Sequence, residues 1–129
     1  MLTAALLLNA ALFGGMVFYS FGFAPVLFAQ LPKDNVRPIL RGTFPYYYLA
    51  IIALSAVTLI TTSFVASLPT ILLTVIFLST IYARQILMPQ INAASDADDK
   101  PKFGKLHGLS VIIQLIQIAL SGWALITLI

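Results

Sequence analysis

The chain contains no cysteine, which excludes disulfides, thiolate metal sites and cysteine nucleophiles. It has a single histidine, so a bis-histidine haem site within one chain is excluded too. Charge is scarce: 9% of residues are charged, against about 25% in soluble domains. All four acids (Asp34, Asp96, Asp98 and Asp99) fall in two short polar stretches. There is no phosphate-binding glycine loop, serine elbow or zinc-ligand pair. No catalytic residue, metal ligand or resident cofactor is therefore expected, and the reading is of a protein that is not an enzyme.

What is abundant is apolar sequence, 60% of the 129 residues. It is gathered into four continuous runs, at about 3–31, 46–65, 69–88 and 106–129. The last, LHGLSVIIQLIQIALSGWALITLI, holds no Asp, Glu, Lys or Arg. About 20 apolar residues rising roughly 1.5 Å each cross a hydrocarbon core. The alternative for lipid, a β-barrel, needs alternating segments of about ten residues, and these runs are continuous. The expected fold is all-α: a single-domain bundle of four transmembrane helices. The first apolar run lacks a basic leader and is too long for a cleaved signal, so it is expected to be retained.

The connections differ in character. LPKDNVRPILRGTFP, 32–45 in its core, is polar and punctuated by proline; 89–105 contains SDADDK and reads as a flexible loop. SDADDK lacks the spacing of a calcium loop and reads as a solvated turn. The middle connection is only Ala66-Ser67-Leu68, with Ser67 the expected N-cap and Pro69 in the first helical turn.

The seven basic residues are Lys33, Arg37, Arg41, Arg84, Lys100, Lys102 and Lys105, all on one side of this plan. The net charge of +3 therefore flanks membrane spans, and nucleic acid is not an expected partner. The positive-inside rule places loops 32–45 and 89–105 in the cytoplasm and both termini outside, with a bacterial inner membrane as the expected host. Tyr46, Tyr47 and Tyr48 would anchor the inner interface and Trp123 the outer one.

Polar residues within the spans are the candidates for function. On the fourth helix His107, Ser110, Gln114, Gln117 and Ser121 recur at steps of three and four, within an arc of about 80°. Such a stripe avoids lipid. It reads either as interhelical hydrogen bonding or as a polar pocket formed by Arg84, His107, Ser110, Gln114 and Gln117. The second helix adds Tyr48, Ser55, Thr58 and Thr62, and the third Thr70, Thr74 and Thr80. Arg84 lies about 22 Å into its helix, where it either snorkels or binds an anion or a carbonyl. His107 reads as an interfacial hydrogen-bonded residue; a proton relay, or haem ligation with Met16 or Met88, are the sharper alternatives. Asn9 is an isolated amide. Ala11, Gly14, Gly15 and Gly22 form a small-residue face expected to pack closely, and Pro25 should kink or end the first helix.

The segments GGMVFYSFGFAPVLFAQLP, FPYYYL, RQILMPQIN and FGKLHGLSVIIQLIQ, spread in this order over about 13–125, resemble the transmembrane protein 205-like family, which carries the domain of unknown function 4149. The family pattern falls on Gly15, Pro25, Phe28, Phe44, Pro45, Tyr47, Arg84, Pro89, Asn92, His107 and Ser110. Gln114 departs from it, standing where the family more often shows asparagine. The resemblance implies a small four-span membrane protein with no settled activity, and more than an interfacial role for Arg84 and His107. A looser similarity to HemJ-type protoporphyrinogen oxidases lacks the histidine in the first span. The function expected from all this is an accessory or scaffolding subunit, bound to lipid and to itself or other membrane subunits. A small-molecule or ion-handling module is the alternative, followed by a haem- or quinone-linked redox protein.

Overall fold

The computed structural model describes all 129 residues and contains four long helices: α1 (Leu2–Gln30), α2 (Lys33–Ser63), α3 (Ser67–Asp96) and α4 (Lys100–Leu128). Each is long and apolar enough to cross a membrane, so the chain is a multi-pass membrane protein. The helices alternate in direction, and each packs on its neighbours in a closed ring, α1 on α2, α2 on α3, α3 on α4 and α4 on α1. Only 22 of the 129 residues are buried, which leaves most apolar side chains facing outward, as lipid requires.

The helices run further than the apolar spans. Residues 33–45 are the opening turns of α2, and 89–96 and 100–105 belong to α3 and α4, so the expected loops are mostly helix. A fall in hydropathy marks where a helix leaves lipid; the backbone ladder continues in water. The true connections are short. At the last one, the amides of Asp98 and Asp99 bond back to the carbonyls of Ser95 and Ala94, closing a Schellman turn. Asp98 takes the left-handed position at φ 52° usually given to glycine, and the Asp99 carboxylate then caps α4 by accepting from the Lys102 amide at 3.3 Å. The expected Ser67 cap is not formed: Ala66 occupies the N-cap, and the Thr70 hydroxyl bonds its carbonyl at 2.6 Å.

Pro25 neither ends nor simply breaks α1. The helix widens to a π segment at Phe18–Phe23, just before Pro25, and continues to Gln30. The same arrangement recurs in α3, with a π segment at Ala83–Leu87 just before Pro89. Proline supplies no amide to the carbonyl four residues back and its ring crowds that carbonyl. Shifting the preceding turn to i→i+5 bonding accommodates the missing donor without severing the helix. Both π segments begin 16 residues into helices that run in the same direction, and so lie at about one depth.

Above that depth the bundle is tight. Leu12, Met16, Ile51, Leu72, Leu73, Ile76 and Ala124 form the apolar core. Past it lies the inner half, so called for the basic ends of the helices as the outer half is for the ends that carry the termini, and there α1 from Phe18 to Gln30 contributes no buried residue.

Candidate functional site

Polar side chains of the outer half mostly satisfy one another or their own helices. The Gln117 amide donates to the hydroxyls of Ser79 at 2.7 Å and Thr80 at 3.0 Å, tying α4 to α3. The fully buried Asn9 amide donates to the Thr62 hydroxyl at 3.1 Å and to its own helix at Ala5, while its carbonyl oxygen has no partner. Thr58, Thr74, Thr80 and Ser121 bond carbonyls one turn back. The expected buried face Tyr48, Ser55, Thr58 and Thr62 is buried throughout.

At the depth of the π segments the interior turns aromatic. Tyr19 stacks on Tyr47 with centroids 3.9 Å apart, and Phe23, Phe44 and Tyr48 pack around them. The Gln114 amide reaches into this cluster, donating to the Tyr47 hydroxyl and to Ser20 at 2.9 Å. These bonds join α4 to α2 and to the widened turn of α1.

Nearer the basic end, two cavities lie along one seam between α2, α3 and α4. The inner, about 70 Å³, is lined by Arg41, Phe44, Tyr48, Met88, Ile91, Asn92, His107 and Ser110. The outer, about 280 Å³, is lined by Arg37, Ala94, Ser95, Asp98, Asp99, Lys100 and Phe103. Between them, Arg41 holds Asp96 through two bonds of 2.6 and 2.9 Å, joining α2 to α3. That guanidinium holds the Asp96 carboxyl below the usual carboxylate range, and the carboxylate raises Arg41 in turn. Both side chains are largely exposed, so the pair positions helices more than it stabilises them. A column of stacked groups links the cavities on the α4 side: Arg37 over Phe103 at 5.4 Å, and Phe103 parallel to His107 at 5.6 Å.

The five candidate residues therefore do not share one pocket. His107 and Ser110 line the inner cavity, the Ser110 hydroxyl bonding the His107 carbonyl at 2.7 Å. Gln114 sits in the aromatic layer and Gln117 between α3 and α4. Arg84 turns to protein: its Nε donates to the Pro45 carbonyl at 3.2 Å and Nη1 to Gln85 at 2.8 Å. Arg41 and Asp96 were not singled out by sequence as site residues. Their pairing spans 55 positions and has no local signal. No group of three or more His, Cys, Asp or Glu that could hold a metal is found.

The small-residue face also falls differently from expectation. Gly14 and Gly15 are exposed, and a Cβ built on either would meet nothing within 4 Å, so they are not packed inside this chain. Gly22 is crowded only by Phe18 of its own helix.

The model of a family described as a domain of unknown function, DUF4149, matches residues 7–100. The match takes in α1, α2 and α3 and stops at the start of α4, short of His107 and the glutamines. No curated protein and no solved structure matches the chain.

Proposed function

From a chain that belongs to the DUF4149 family, we propose a non-catalytic integral membrane protein acting as an accessory or scaffolding component, associated laterally with a second copy or with other membrane subunits. The observation that carries this reading is the division of polar groups in the bundle. Gln114 and Gln117, the two amides best placed to line a transmembrane path, are committed to neighbouring helices. Beyond them the apolar core from Leu12 to Ala124 closes the interior. That arrangement favours a packing role for the stripe over an ion or solute path.

Lateral association is supported by α1. Ala10, Ala11, Gly14 and Gly15 are exposed, on a helix whose other face is buried against the bundle. Small residues let helix backbones approach closely in lipid, and none of that capacity is used within the chain. We place the basic ends in the cytoplasm and both termini outside, in a bacterial inner membrane, on the one-sided distribution of the seven basic residues.

Native mass spectrometry of the protein extracted from its own membrane in mild detergent tests the reading. A complex with a second copy or further subunits, lost in Gly15→Leu, is the expected result. A lone chain in both proteins would overturn it.

A further inference from the structure

The seam between α2, α3 and α4 carries features that a scaffold does not require. Tyr48 is 7% exposed, yet its hydroxyl has no hydrogen-bond partner in the protein, and the residue lines the inner cavity. The hydroxyl is open to that cavity and free to take a partner there. Asn92 and the His107 ring line the same cavity with their own polar atoms uncommitted to side chains or backbone. Phe44, Met88 and Ile91 form its apolar walls.

Each helix passes from the outer cavity to the inner in about one turn, Arg37 to Arg41, Ser95 to Asn92 and Phe103 to His107. The two cavities thus lie one turn apart along one seam, the cleft, with the Arg41–Asp96 pair at their border. Charge in the outer level is balanced: Arg37 and Lys100 face Asp98 and Asp99. Asp99 is partly spent on capping α4, and Asp98 has no partner. A purely anionic ligand would meet the carboxylates, and a purely cationic one the guanidinium groups.

The cleft lies at the basic ends of the helices, the level of lipid headgroups. Its fourth wall is thin there. α4 packs on α1 chiefly through Leu2–Val17, and the inner half of α1 has no buried residue. An amphiphile can thus reach the cleft from the bilayer with its chains remaining in lipid. The outer volume of about 280 Å³ approaches the roughly 300 Å³ at which small-ligand pockets begin, enough for a headgroup alone.

We propose that this cleft binds the zwitterionic headgroup of an aminophospholipid from the adjacent leaflet. Its phosphate lies toward Arg41, Asn92 and the Tyr48 hydroxyl, and its primary ammonium toward Asp98. A charge-assisted bond from the ammonium to a carboxylate is available to ethanolamine, and not to choline, which has no N–H, or to glycerol, which has no cation.

The test uses full-length protein reconstituted into vesicles of equal phosphatidylethanolamine, phosphatidylcholine and phosphatidylglycerol, then extracted gently for native mass spectrometry. One phosphatidylethanolamine retained per chain, favoured about tenfold over either other lipid, is expected. Tyr48→Phe removes an oxygen that no protein group bonds, so this variant should melt like the parent while losing retention several-fold. Asp98→Asn should lose the preference over phosphatidylcholine. Equal retention of the three lipids would overturn the proposal, as would preference for phosphatidylglycerol or unchanged retention in both variants. Displacement of the bound lipid by equimolar soluble glycerophosphoethanolamine would overturn a lipid as the occupant.

Discussion

The outer and inner halves of the bundle share four helices and little else. In the outer half α1 buries Ala5, Asn9, Leu12 and Met16, and its neighbours close over an apolar core. In the inner half the same helix buries nothing, and the space holds stacked tyrosines, the Gln114 amide, the buried Val36, Leu87 and Ala94, and two cavities. The boundary coincides with the two π segments, each followed by a proline. A backbone defect repeated in α1 and α3 thus separates a closely packed layer from one that holds two cavities.

The largest expected effect comes from breaking the closely packed layer. Leu73 is fully buried in the core, and Leu73→Ala should cost about 2–5 kcal/mol, read by denaturant titration in detergent. An effect well under that range would mean the outer half is looser than its packing indicates.

The amides sharpen the contrast. Removing one interhelical hydrogen-bonding side chain in a membrane costs about 0.6–2 kcal/mol. Gln114→Leu should fall toward the upper end, because the Tyr47 hydroxyl is left without its amide partner. Gln117→Leu should fall toward the lower end, because Ser79 and Thr80 also bond the Ile76 carbonyl. The reverse order would show that the aromatic layer adapts more readily than the α3–α4 contact.

Acid should act on the inner half alone. The folded Asp96 carboxyl titrates below its unfolded value of about 4. Its contribution is therefore present above that value and lost as pH falls through the folded one. Below that point the end of α3, near residues 89–96, should lose hydrogen-exchange protection while Leu2–Val17 does not. In Arg41→Gln that loss should already be present at neutral pH. The smallest effect is at the turn: Asp98→Gly relieves a left-handed backbone position and should stabilise by about 0.5 kcal/mol in a thermal melt.

The outer half was the more legible of the two in the sequence. The apolar runs and the buried Ser55, Thr58 and Thr62 of α2 follow from period and hydropathy alone, because lipid leaves few alternatives. The polar ends were less legible, since polarity at 33–45 marks the edge of lipid and not the end of a helix. Pro25 signalled a disturbance in α1, but not that a widened turn would absorb it. Gly14 and Gly15 announced close packing without saying that the surface would face outward. The cleft was illegible for a stronger reason. Arg41, Tyr48, Asn92, Asp96 and His107 come from three helices, and only the ring order of those helices brings them together.

Because the chain has no cysteine, single serines can be converted to reporters one at a time. The decisive measurement is labelling of Ser110→Cys, Ser55→Cys and Ser121→Cys in oriented membranes with a membrane-impermeant maleimide. Ser110 lines the inner cavity, whereas Ser55 and Ser121 are fully buried in the bundle. Labelling of Ser110→Cys from the cytoplasmic side only, with the other two silent from both sides, is the predicted result. Reaction at Ser55→Cys or Ser121→Cys would reveal a water path through the outer half and contradict a closed, scaffolding bundle.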